Sequence, residues 1–199
     1  MNSVQLFHGT TKVNAQKVLS HGFKKIEIPN VGQLNLGTVK RLPGSLGYGL
    51  YGFEKDEQLA RDLIGRTAVK TKQAVLSFRI NLDAARLLDF SKSVYDMQAF
   101  RAWKANPILQ VIIDHLGKKY RNGVKRHALD GAILEYYIYD LNRTDLGPIV
   151  DAVCSTTHTP TVIELANHEL NSLPNGIEYV VRDNRLIIRE SIDLAWIQS

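Results

Sequence analysis

Three short runs hold the residues best suited to chemistry. Phe7-His8-Gly9-Thr10 closes an apolar-rich stretch with an imidazole, a glycine and a hydroxyl. Such an imidazole can hydrogen-bond a ribose hydroxyl, and the glycine's exposed main-chain N–H and C=O can pair with a primary carboxamide. Gly47-Tyr48-Gly49-Leu50-Tyr51 sets a tyrosine beside permissive backbone. Its glycines allow a ligand to approach closely, and the phenol ring can stack on a flat heterocycle. It is not a GxGxxG fingerprint, because no strand and helix flank it in a parallel unit. Glu178 opens the apolar run Tyr179-Val180-Val181. A carboxylate there can accept a ribose hydroxyl's hydrogen bond and stabilise positive charge developing at an anomeric carbon, as glycosidase carboxylates do.

Each run alone has a plainer explanation. His8 could be a satisfied structural histidine, the glycine run a turn leading into a core tyrosine, and Glu178 an outward-facing residue on an alternating strand.

Taken together and in order, the runs resemble the ADP-ribosyltransferase fold, in the His-Tyr-Glu branch shared by diphtheria-type toxins and poly(ADP-ribose) polymerases. That branch carries a Tyr/Phe/Trp-His-Gly-Ser/Thr motif, a Gly-x-Gly-Ile/Leu/Val-Tyr motif and a late Glu-Tyr-Val/Ile-Val motif. The resemblance spans about Leu6 to Ile188, with 74–80 and 130–134 as core strands. It implies an α+β fold of two packed, mostly antiparallel sheets flanked by helices around a central NAD cleft, in one domain covering 1–199. It also implies roles: His8 on the adenosine ribose, Gly9 on the nicotinamide amide, Thr10 beside them, Gly49 and Tyr51 lining the nicotinamide pocket, and Glu178 as catalytic carboxylate. NAD would be a co-substrate, with no metal.

Two departures from the family bear on this. Relatives often place a second aromatic on the helix after the glycine motif, where this chain has Leu59-Ala60-Arg61-Asp62-Leu63; Phe53 is the expected substitute. The helical regulatory domain of the polymerases has no obvious room in 199 residues. Single transfer to a macromolecular acceptor is therefore expected, in a toxin or phage-defence setting with an antitoxin or inhibitor protein as partner.

Charge points to the acceptor. The chain has 25 Lys+Arg against 20 Asp+Glu, a formal charge of +5. The excess is concentrated at 117–127, where Lys118, Lys119, Arg121, Lys125 and Arg126 surround Tyr120 with no acid among them. Cations for phosphate and a ring for stacking suit RNA or DNA, ahead of protein; a solvated loop is the plainer account.

The elements that position these groups follow from periodicity. A strand is expected at 4–7, a helix over 13–19 with caps at Thr10, Thr11 or Asn14 and a stop at Gly22, and a long loop over 29–49. A helix follows at 58–64, ending near Gly65, then a strand at 74–80 and a turn or strand at 82–88. Two helices broken at Pro107 fill 94–116. A strand is expected at 131–137, a short helix or insertion at 162–173, and a hairpin of 178–181 with 186–189 around Asp183-Asn184.

Other features narrow the class. At 44% apolar residues a single core is attainable. Cys154 is the one cysteine, so no internal disulfide forms, and a reducing, cytoplasmic compartment is expected. No run approaches the roughly 20 apolar residues of a membrane span, and no signal region is evident. Cys154, His158 and His168 lack a metal-binding pattern. Glu135 rivals Glu178 as the catalytic acid because it ends an apolar run. Two other activities stay in view: an inactive NAD or ADP-ribose reader, and an RNA 2′-phosphotransferase, which would need arginines where Tyr51 and Glu178 stand.

Overall fold

The computed structural model describes residues 2–67, 72–83, 85–120, 127–143, 149–159 and 173–198. Strand β1 (Ser3–Thr11) pairs antiparallel with β3 (Gln73–Asn81) over nine consecutive register positions, Ser3↔Asn81 to Thr11↔Gln73. Between them, helix α1 (Lys12–His21) starts where the Thr11 side chain accepts from Asn14 N and stops at Gly22, whose φ of 80° glycine tolerates. It buries Ala15 against Ala74 and Leu76 of β3.

The expected loop at 29–49 contains a helix, α2 (Val31–Leu36). Asn30 and Gln33 form a reciprocal capping box, and Gly37 ends the helix in the left-handed region. Six residues give too few turns for periodicity to register, although Asn30 and Gln33 carry the capping signal. Next come β2 (Leu50–Glu54) and α3 (Glu57–Thr67), which continues through Gly65. β4 (Arg86–Asp89) follows β3, then α4 (Val94–Lys104) and α5 (Pro107–Tyr120), separated as the proline requires.

The expected strand at 131–137 is instead the middle of α6 (Ala128–Arg143). All residues from Gly131 to Ile138 are buried. One side of α6 packs Ala132, Ile133 and Tyr136 against Leu34, Leu116 and Tyr120, while Leu134, Tyr137 and Ile138 meet Leu88, Val150 and Val153. A helix enclosed on both sides loses its polar stripe, so its apolar run cannot be told from a buried strand.

β5 (Val150–Thr157), β6 (Gly176–Val181), a 3₁₀ turn (Asn184–Leu186) and β7 (Ile187–Ile197) complete the chain. The strands form one seven-stranded sheet in the order β4-β5-β6-β2-β1-β3-β7, antiparallel throughout except for β4–β5. Two expectations are corrected by this order. The sheet is single in its hydrogen bonding, although the strand register joining its two halves is short, Leu6↔Glu54 and Phe7↔Phe53. The hairpin at Asp183-Asn184 does not form either: β6 pairs with β5 and β2, while β7 takes the far edge on β3. Residues 182–186 must cross three intervening strands, so the sheet is strongly coiled. One cluster accordingly joins Leu6, Phe78 and Ile80 of one half to Ala152, Cys154 and Tyr179 of the other. Arg121, Lys125 and Arg126, and 162–172, lie outside the described residues. No helix among the described residues is long and apolar enough to cross a membrane.

Candidate active site

The site forms where the β1–β2 ladder stops. Gln5 C=O accepts from Lys55 N at 3.1 Å, so the main-chain groups of Gln5, and by alternation those of Phe7 and Gly9, face β2. Pairing ends at Phe7↔Phe53, and the next pair, Gly9 with Tyr51, is not made. His8 takes that place instead: its Nδ1 donates to Tyr51 C=O at 2.8 Å. A carbonyl can only accept, so Nδ1 carries the proton and Nε2 is left as an acceptor. Burial holds the imidazole pKa below its usual value, and the charge of Arg41 adds to this, so His8 is neutral near pH 7.

Gly9 is required by packing as well. A Cβ there would lie 2.5 Å from Ala60 C=O and 2.9 Å from Ile64 Cβ, so glycine is what lets α3 sit on β1. Its N–H and C=O face the opened edge, the disposition that pairing with a carboxamide needs.

Tyr51 and Glu178 share a sheet face. Tyr51 stands opposite Val180, and Phe53 opposite Glu178, so Tyr51 and Glu178 are diagonal neighbours. The Tyr51 hydroxyl donates to Gly47 C=O at 2.7 Å and accepts from Leu46 N at 3.1 Å, tying the tyrosine to the preceding loop. Burial, with the neighbouring Glu178 charge, raises its pKa well above the ordinary phenol value. Glu178 is 9% exposed. Burial pushes its carboxyl up to about 7, only partly offset by the Ser45 hydroxyl, which donates to Oε2 at 3.4 Å.

Phe53, expected at the pocket wall, is 2% exposed and packs with Leu59, Ala60 and Val75. It is a core residue. Thr10 is half-buried on β1, and Gly49 adjoins Val180 and the Val181 carbonyl. Lys118 and Lys119 lie in the last turn of α5, with the Lys119 stem against Gly37, but Tyr120, expected as a stacking ring, is buried in the core and donates its hydroxyl to Leu34 C=O.

Glu135 is committed to a structural pair. It is buried on α6 and paired with Arg182, while accepting from Tyr48 N at 2.7 Å. Sequence reading missed Arg182 and Ser45; the signals were an arginine directly after an apolar strand and a hydroxyl inside the glycine-rich loop. Cys154 donates to Asp89, and His158 Nδ1 bonds Leu173 C=O. Among the described residues no three His, Cys, Asp or Glu side chains converge as metal ligands would.

Comparison with protein-family models, curated proteins and solved structures finds no match for this chain.

Proposed function

We propose that the protein is an NAD-dependent mono-ADP-ribosyltransferase of the His-Tyr-Glu kind. The observation that carries this reading is the opened ladder at Gly9 and Tyr51, with a neutral His8 across it and buried Glu178 on the Tyr51 face. Gly9 N–H and C=O bind the nicotinamide carboxamide, and the Tyr51 ring lies against the heterocycle. His8 Nε2 accepts from the adenosine ribose. Arg41, exposed and close enough to oppose protonation of His8, offers a cation to the diphosphate.

Ionised Glu178 accepts a hydroxyl hydrogen bond from the nicotinamide ribose. It stabilises the positive charge that builds at C1 as the bond to nicotinamide lengthens, and its dry setting strengthens that interaction. Positioning of the acceptor against C1 supplies the remaining acceleration.

A second reading is a module that holds NAD or ADP-ribose without cleaving it, favoured by the burial of Phe53, which removes it as a second ring beside Tyr51. Release of nicotinamide from NAD, followed by chromatography, separates the two. The transferase reading expects turnover by the wild type and a loss of roughly 10²–10³-fold in Glu178→Gln. Tight NAD binding without nicotinamide release would establish the module instead.

A further inference from the structure

A cavity of about 260 Å³ lies between α4, α6, β5 and the loop before β2. Its wall includes Ser45, the hydroxyl that donates to Glu178, and Ser155, which stands directly across from Glu178 on β5. Because β6 lies between β5 and β2, Ser155 of the cavity wall and Tyr51 flank Glu178 from the two neighbouring strands. A displacement at C1 of a ribose needs that arrangement, with the leaving group on one side and the nucleophile on the other.

The lining states what the cavity can hold. Phe90 and Phe100 stand with ring centroids 5.4 Å apart, and Met97 joins them. The two rings are tilted by 50° and pack on each other, giving an apolar wall against which a flat ring can lie. The cavity is smaller than the roughly 300–1,000 Å³ pockets that enclose whole ligands, so it suits one ring system and not a dinucleotide. Arg101 and Lys104 lie one turn apart on α4 at its rim, with Lys104 Nζ 5.7 Å from the Phe100 ring centroid. Both are exposed, and neither forms an ion pair with a described residue. Asp130 adds a carboxylate that can accept from a ring or amino N–H.

An aromatic wall with two cations at its rim, neither ion-paired among the described residues, matches a base and its phosphate. We propose that this cavity is the acceptor subsite and takes one unpaired nucleobase of RNA or DNA, with the adjoining phosphodiester on Arg101 and Lys104. This rests on the transferase reading above. A nitrogen of the base attacks C1 of the nicotinamide ribose. The new C–N bond forms as the bond to nicotinamide breaks, and that electron pair leaves with neutral nicotinamide. The proton displaced from the base nitrogen passes to Glu178 and then to water.

The test uses the full chain with fluorescent RNA and DNA oligonucleotides, unpaired or annealed to a complement, and NAD labelled in the adenylate. Binding is read by anisotropy, and label is counted in oligonucleotide, in protein and in free ADP-ribose. The expected result is labelling of unpaired oligonucleotide at least tenfold above duplex, with the RNA and DNA arms identifying the polymer. The exposed pair R101E/K104E should weaken oligonucleotide binding tenfold or more. It should also lower the ratio of label in oligonucleotide to free ADP-ribose by a similar factor, and cavity-filling Met97→Trp should lower that ratio too. Nicotinamide release with label only in free ADP-ribose overturns both readings, whereas label only in protein overturns this inference and leaves the transferase reading standing. So does equal labelling of duplex, or a ratio that R101E/K104E does not move. Oligonucleotide binding with no nicotinamide release overturns the transferase reading and the acceptor role together.

Discussion

Arg182 grips Glu135 with both terminal nitrogens, Nη1 to Oε1 at 2.5 Å and Nη2 to Oε2 at 3.0 Å, directly beneath the glycine loop. The pair also fixes the main chain of Tyr48: Glu135 accepts its N–H, and Arg182 Nη1 donates to its C=O at 3.3 Å. Gly47 has a φ of 85°, and a Cβ there would collide with Glu135, so the loop fits the pair only with glycine. A second close contact lies nearby, where a Cβ on Gly131 would overlap Gly44 C=O. The loop that carries Ser45 and ties down Tyr51 is thus docked on α6 by charge and by bare backbone.

Removing one partner of the pair should be worse than removing both. Arg182→Met leaves Glu135, 4% exposed, as an unpaired buried carboxylate, with an expected cost of about 3–5 kcal/mol. Glu135→Met/Arg182→Met should unfold at higher urea than Arg182→Met, because no buried charge is stranded. A double variant less stable than Arg182→Met would assign the cost to packing instead.

Turnover should depend on the ionisation of Glu178. With the carboxyl held up to about 7, kcat/KM for nicotinamide release should rise about tenfold per pH unit below that value and level off above it. Burial makes His8 lose its proton below the usual imidazole value, so it adds no opposing limb above pH 7. A flat profile between pH 5.5 and 8 would remove Glu178 from the rate-limiting chemistry.

The same carboxyl makes stability fall as pH rises. Its pKa is higher in the folded chain, so between about 4.5 and 7 the native state binds more proton than the unfolded one, and ionisation disfavours folding. Holding the carboxyl near 7 disfavours the ionised form by about 3 kcal/mol. Glu178→Gln should therefore be more stable than wild type at pH 8 by up to that amount, with the gap closing towards pH 5. Urea titrations at the two pH values would show it.

Gly9→Ala should loosen α3 from β1. The added methyl meets a main-chain carbonyl at 2.5 Å, which cannot move without the helix, and overpacking of this kind costs about 1–3 kcal/mol. Hydrogen exchange should quicken in 57–67 more than in α6. An unchanged α3 would mean the helix shifts without loss.

Longer elements with an exposed face were legible before the structure, whereas the six-residue α2 was too short to register. β3 alternated, α1 carried Thr11 and Gly22 at its ends, and Pro107 divided α4 from α5. Elements enclosed on all sides were not: α6 has no polar stripe through Gly131 to Ile138 and passed for a strand. For the same reason Glu135 looked like a rival acid, since nothing in its neighbours along the chain names Arg182, 47 residues away, as its partner.

The sequence by itself determined the kinds of groups at the site, because His8, Gly9, Tyr51 and Glu178 announce their chemistry by type and local company. Only the tertiary structure decided how those groups stand to one another. Where β1 parts from β2, which face Glu178 shares with Tyr51, that Phe53 is core and that Arg182 is spent on Glu135 are all set by pairings between distant strands and helices. Sheet register and burial arise from contacts far apart in the chain, and local periodicity carries no record of them.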